Sequence, residues 1–195
     1  MTTFFAPETL RTDRFVLRSW MPGDGAALRE ASVSSYEHLR PWLGWAVEDE
    51  PIEVAEARVR RFRARWLLNE DYVVGIWSPD GQRVFGGTGF HLRDGFGWAD
   101  GVAEIGMWIR GSEANQGLGT AVLSAMLGWG FAEWPWQRLS WHCDARNVAS
   151  RRVAEHVGMP LEGTLRGEPA HDGMGRRETM VFGLTRDAHA ARAVG

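Results

Sequence analysis

"ANQGLGTAVLSAML", residues 114–127, decides the fold: two glycines one residue apart, Gly117 and Gly119, close a short polar stretch and open a run of helix formers. Just upstream, "VAEIGMWI" (102–109) reads as a strand. Strand, polar loop and helix in that order make an anion site. The first amides of a helix have no partner within it, and the helix dipole places partial positive charge there. Glycines at 117 and 119 would let the backbone approach a ligand closely and take conformations barred to other residues. Phosphate binding is the first expectation; a plain tight turn is the competing one.

Several phosphate chemistries are excluded at once. A dinucleotide fingerprint would place a third glycine at 122, which is Val122, and would sit in the chain's first strand-helix unit. All 22 basic residues are Arg, and without a Lys there is no Walker-A loop and no Schiff-base enzyme. A formal charge of -3 argues against a general nucleic-acid binder, which needs a basic face. No apolar run is long enough to span a bilayer, and "MTTFFAPETLRTDR" lacks the basic and apolar blocks of a secretory signal. The one cysteine, Cys143, cannot build a disulfide framework, so a cytoplasmic location is expected.

Working outward, 195 residues suit one domain over the whole chain, with an Ala/Arg-rich tail, 186–195, expected to be dispensable. "DRFVLRSW" (13–20) alternates as a first strand, and "MPGDGAALREAS" (21–32) reads as a turn entering a helix. "SSYEHLRPWLGWA" (34–46) is helical in character until Pro41 and places Trp42 and Trp45 around Gly44. From Ile52, apolar residues at 52, 55, 59, 62 and 66 mark an amphipathic helix, with Pro51 at its start and Glu48, Asp49 and Glu50 beside its positive end. Its arginines (Arg58, Arg60, Arg61, Arg63, Arg65) are expected to form a solvated outer face. Strands follow at 71–78 and 83–92, separated by "PDGQ", and then at 138–143. A helix over 148–157 stops at Gly158, and two last strands flank the Gly-rich loop "GEPAHDGMGRR".

"EIGMWIRGSEANQGLGTAVLSAML" (104–127) resembles the central motif of the GNAT superfamily of acyl-CoA-dependent N-acyltransferases, Gln/Arg-x-x-Gly-x-Gly/Ala. Gly117 and Gly119 fill the glycine places, while the leading place is Ala114. "LRTDRFVLRSW", "HLRPWLGWA", "AEIGMWI", "NVASRRVAEHVGM" and "LEGTLR" are similar, in order and spacing, to the RimJ/RimL branch of ribosomal-protein N-terminal acetyltransferases. The resemblance implies an α/β domain with a mixed, twisted sheet of about seven strands flanked by helices, acetyl-CoA lying where two central parallel strands splay apart. It also implies a homodimer, and an acceptor that is a protein N-terminus or a small amine.

Site residues follow from the resemblance in the same way. The backbone of Met107, Trp108 and Ile109 would pair with the pantetheine arm as an added strand. Amides of Asn115, Gln116, Gly117, Leu118, Gly119 and Thr120 would hold the pyrophosphate, Asn147 the pantetheine amides, and Arg151 or Arg152 the outer phosphate. Glu104 is the first candidate to remove the amine's proton through water, and Glu168 the second. An α-amine is about 10 to 15% neutral at pH 7, so a weak base suffices. Many members protonate the thiolate with a tyrosine where this chain has Ala154; Ser150 could instead donate to that sulfur. A strand amide near Met107 would hold the oxyanion, and Trp42 and Trp45 would line the acceptor pocket.

No metal site is expected, since His142, Cys143 and Asp144 are neighbours whose side chains alternate between faces of a strand. Cys143 is expected to be a small core residue. Two rivals to the enzyme are a non-catalytic acyl-CoA-binding module and a dinucleotide-binding reductase.

Overall fold

The computed structural model describes residues 3–93, 95–170 and 175–192. Residues 171–174 of the Gly-rich loop and 193–195 of the tail lie outside the described residues. Strands β1 (Thr9–Arg11), β2 (Val16–Ser19), β3 (Tyr72–Trp77), β4 (Val84–His91), β5 (Val102–Ile109), β6 (Arg138–Asp144), β7 (Leu161–Pro169) and β8 (Arg176–Thr185) form one sheet, ordered β1-β2-β3-β4-β5-β6-β8-β7. Neighbours pair antiparallel except β5 and β6, which run parallel. The eighth strand is β1, too short to show alternation in sequence. The Thr12 hydroxyl holds its turn, donating to the Phe15 carbonyl and accepting from the Phe15 amide.

Alternation along the strands sends two sets of side chains to opposite faces. On one face Val16, Trp20 and Trp77 pack with Leu28 and Ala31 of α1 (Gly25–Val33) and Val59 of α3 (Ile52–Leu67). On the other, Leu17, Val74, Ile76 and Ile105 pack with α4 (Leu118–Glu133). Helix α4 is apolar nearly all round, as suits a buried helix, and comes so close to the sheet that a Cβ at Gly130 would lie 2.9 Å from Leu139. Helix α5 (Val148–His156) packs against α4.

The short helix α2 (Tyr36–Leu39) ends before Pro41, and Trp42 and Trp45 follow outside it. The tail begins as helix α6 (Arg186–Arg192), whose first residue is anchored: Arg186 donates to the carbonyls of Phe131 in the last turn of α4 and of Trp134 and Trp136 beyond it. On α3 the arginines are not merely a solvated face. Arg58 pairs with Glu50 at 2.5 Å, Arg63 with Glu8 at 2.9 Å, and Arg58, Arg61 and Arg65 border the central cleft. Glu50, just before α3, recruits Arg58 because it is buried and requires a cation.

Candidate active site

The parallel pair β5/β6 is joined only at its start, from Val102↔Arg138 to Glu104↔Ser140; beyond that the strands part, and a cleft of about 1280 Å³ opens. The edge that β5 presents to the gap follows from its bonds to β4. The Arg110 amide donates to the Phe85 carbonyl at 2.7 Å, and the Gly106 carbonyl accepts from the Thr88 hydroxyl at 2.7 Å. Even-numbered residues thus turn their backbone groups to β4, and alternation turns those of Met107 and Ile109 into the gap. Trp108, in the even set, has its backbone directed to β4 and its indole to the cleft.

The loop from β5 to α4 is a cradle of amides. Asn115 (φ 60°) and Gly117 (φ 72°) both take the left-handed conformation, and nothing lies within 4 Å of where a Gly117 Cβ would be. Gly119 has a different reason: a Cβ there would sit 3.3 Å from Val153, so this glycine lets α4 meet α5. The two glycines are not equivalent. Gly117, the residue before α4, makes no side-chain capping bond, and among the described residues the amides of Gln116 through Thr120 have no partner. Leu118, Gly119 and Thr120 border the cleft. Side chains pin the loop from below: Gln116 to the Ser112 carbonyl (2.8 Å), Ser35 to the Gly111 amide (3.0 Å), and Arg83 to Glu113 (2.9 Å). An open, pinned row of unpaired amides suits a multiply charged anion.

Across the gap, Asn147 caps α5, its Oδ1 accepting from the Ser150 amide at 3.0 Å. That leaves its Nδ2 for a ligand. The Ser150 hydroxyl oxygen accepts from the Trp141 indole at 3.2 Å. Cys143 is buried beside the cleft, and that burial pushes its thiol above the ordinary pKa, a Ser150 hydrogen bond opposing this only in part. Of the two arginines, Arg151 pairs with Glu155 at 3.4 Å, and Arg152 borders the cleft. Ala154 is fully buried.

The opposite face of the sheet furnishes the other half. Glu104 Oε2 lies 3.5 Å from both Arg93 Nε and His142 Nδ1. Trp45 is 40% exposed, packs edge-on against Trp108 with ring centres 5.8 Å apart, and carries the Arg58 guanidinium 5.4 Å above its ring. It is therefore a wall of the cleft and not core, and Trp42 lines the same wall. Glu168 also borders the cleft, but its carboxylate is held by the Thr179 hydroxyl and by Arg177 at 3.4 Å. His142 and Cys143 do point to opposite sides of β6, and among the described residues no group of three or more His, Cys, Asp or Glu could hold a metal ion.

One pair is absent from the sequence expectations. The His91 ring nitrogen Nδ1 lies 2.9 Å from Asp71 Oδ1, and both side chains are nearly buried at the floor of the same half. Burial alone would raise the Asp71 pKa; the His91 hydrogen bond and the charges of His91, Arg65 and Arg93 overcome it and hold that carboxyl below the usual value. The pair is set by the register of β3 and β4, which places Tyr72 opposite Phe90 and so brings the next residues outward, Asp71 and His91, together.

Comparison with known proteins agrees with this geometry. Residues 14–160 match the acetyltransferase (GNAT) domain family. The uncharacterized N-acetyltransferase YoaA of Bacillus subtilis (strain 168) is 29% identical over 158 residues, covering 80% of this chain and 85% of that protein. Among solved structures, RimL, the ribosomal L7/L12 alpha-N-protein acetyltransferase in complex with coenzyme A, superposes with a TM-score of 0.83 at 19% identity, covering 93% of this chain and 99% of that one. The ribosomal-protein-S5-alanine acetyltransferase of Vibrio fischeri gives a TM-score of 0.79 at 13% identity, covering 93% and 98%. With the family match spanning the splayed strands, the amide cradle and α5 alike, the chain belongs to the GNAT family of acyl-CoA-dependent N-acetyltransferases.

Proposed function

We propose that this N-acetyltransferase moves the acetyl group of acetyl-CoA directly to the α-amine of a protein N-terminus, small primary amines being the second class of acceptor. The observation that carries the reading is the row of unpaired amides at Gln116–Thr120 beside the gap between β5 and β6. The acceptor class is supported by the ribosomal-protein acetyltransferases among the structural neighbours. The single thiol, buried Cys143, suits a reducing cytoplasm.

In this reading the diphosphate lies on the cradle amides, and the pantetheine arm extends along Met107 and Ile109 as an added strand. Trp108 contributes its indole to the acceptor wall rather than backbone bonds. Asn147 Nδ2 meets the pantetheine amides and Arg152 the outer phosphate. Attack of the neutral amine on the thioester carbonyl forms the C–N bond; the Met107 amide holds the oxyanion, and collapse breaks the C–S bond. Ser150 offers its hydroxyl proton to the departing sulfur in competition with Cys143. Glu104 draws the acceptor's ammonium into the cleft, and Glu168, already bonded to Thr179 and Arg177, shapes the far wall.

Coenzyme A release measured on a panel of peptides with free N-termini and of small primary amines tests the reading, with turnover expected on peptides first. Turnover confined to small amines would reverse the acceptor assignment. Stabilisation by NAD but not by acetyl-CoA in a thermal shift would overturn the donor assignment. A homodimer is proposed on the RimJ/RimL resemblance and is read by light scattering.

A further inference from the structure

We propose that His91, oriented by Asp71, is the group that takes the proton from the acceptor amine. The inference rests on the amine-acetyltransferase reading and adds a residue to it. Three observations converge. His91 and Glu104 face each other across the β4/β5 ladder, so both lie on the acceptor side of the sheet. Asp71 accepts at 2.9 Å from Nδ1, and a carboxyl held ionised fixes the proton on that nitrogen, leaving Nε2 of the neutral ring with its lone pair. Nε2 has no partner among the described residues and lies over Gly106, where a Cβ would approach it to 2.8 Å; only glycine at 106 leaves the ring its place beside the cleft.

The remaining charged groups make the imidazole the better acceptor. Asp71 is also held by Arg65 of α3 at 3.4 Å, which fixes the carboxylate that fixes the ring. Glu104 of β5 lies between Arg93 and His142 of β6, each 3.5 Å from its Oε2, so the carboxylate already has an arginine partner. Imidazoles as a class titrate near pH 6.5 and carboxylates near 4.3, so an imidazole is the closer match to the operating pH. The ammonium enters opposite Glu104 and gives one proton to His91 Nε2, directly or through one water. The resulting imidazolium stays paired with Asp71. The neutral nitrogen then attacks the thioester carbonyl, the tetrahedral ammonium loses its second proton to the leaving sulfur, and His91 returns its proton to solvent. Acetyl-CoA and one ammonium become an amide, coenzyme A thiol and one released proton.

The test uses the full chain and the best acceptor from the coenzyme A release panel. His91→Gln is expected to lower kcat/KM for the amine by about a hundredfold or more, with KM for acetyl-CoA unchanged. The deficit should shrink as pH rises through about 8, where an α-amine arrives neutral. Asp71→Asn should lower the rate by less and move the acidic limb of the profile downward, while Glu104→Gln should raise the acceptor KM and leave that limb in place. Long-range nitrogen NMR of the wild type should show neutral His91 protonated at Nδ1. A His91→Gln enzyme with wild-type kcat/KM, a loss equal at every pH, an acidic limb abolished by Glu104→Gln alone, or an Nε2-protonated ring would each overturn the assignment. A wild type that binds acetyl-CoA yet acetylates no amine would instead remove the reading beneath it.

Discussion

The two halves of the cleft are built on different principles. The half at α4 is made of backbone: a row of amides, two left-handed residues and a glycine that lets helices meet, all within one short run of chain. The half on the other face is made of side chains drawn from far apart: Trp45 after α2, Arg58 from α3, Asp71 before β3, His91 at the end of β4, Glu104 on β5 and His142 on β6. A backbone site is insensitive to the identity of most residues in it and serves a ligand that is always the same. A side-chain site can be changed one residue at a time, which is what a variable acceptor requires. The contrast predicts that deletions of side chains will be mild in the first half and specific in the second, with glycine the exception.

Gly117→Val is the largest expected effect. A β-branched residue at φ 72° is strained by roughly 1–2 kcal/mol, and its side chain enters the open space proposed for the diphosphate. Acetyl-CoA affinity by titration calorimetry should fall about a hundredfold, with the folded signal retained because the Cβ meets nothing in the protein itself. Next comes Trp45→Ala. It removes an exposed wall, its edge contact with Trp108 and the Arg58 cation-π contact, and should raise the acceptor KM about tenfold while leaving the acetyl-CoA KM alone. Were both variants to shift the same constant, the division into two halves would be lost.

A smaller effect concerns stability. The Asp71 pKa lies below its ordinary value in the folded protein, so its contribution is present above that ordinary value and is lost as pH falls through the depressed one. Unfolding free energies of wild type and Asp71→Asn from urea titration should differ by on the order of 1 kcal/mol at pH 6 and converge as pH falls below the ordinary carboxylate value. A gap that held constant with pH would assign the loss to packing instead of charge.

The same contrast explains what the sequence made legible. The backbone half is local: strand, polar loop, glycine pair and helix stand next to one another in the chain, and "ANQGLGTAVLSAML" carries the whole arrangement. The side-chain half depends on register. Counted back from the turn between β3 and β4, where Ser78 bonds Arg83, Asp71 falls opposite Phe90. An irregularity between Ile76 and Trp77 shifts the ladder by one residue and brings His91 to it instead. A one-residue slip sends every side chain to the other face, so the Asp71–His91 pair is invisible without knowing where the bulge lies. Likewise the exposure of Trp45 depends on where the chain turns after Pro41, which no local pattern specifies. The arginines of α3 read as solvated because their partners, Glu8, Glu50 and Asp71, are supplied by other parts of the chain.

The smallest effect is also the sharpest test of the backbone half. Arg151 and Arg152 are adjacent and indistinguishable in sequence, yet only Arg152 borders the cleft, while Arg151 is turned to Glu155 one helical turn on. Arg152 is exposed, so its attraction for a phosphate is largely screened and is worth little in physiological salt. Arg152→Gln should weaken acetyl-CoA about threefold at low salt and hardly at all at high salt, flattening the salt dependence of the dissociation constant. Arg151→Gln should leave that slope as it is. If removing Arg152 cost as much as Gly117→Val, the ligand would be held by side-chain charge, and the row of amides would be only the floor beneath it.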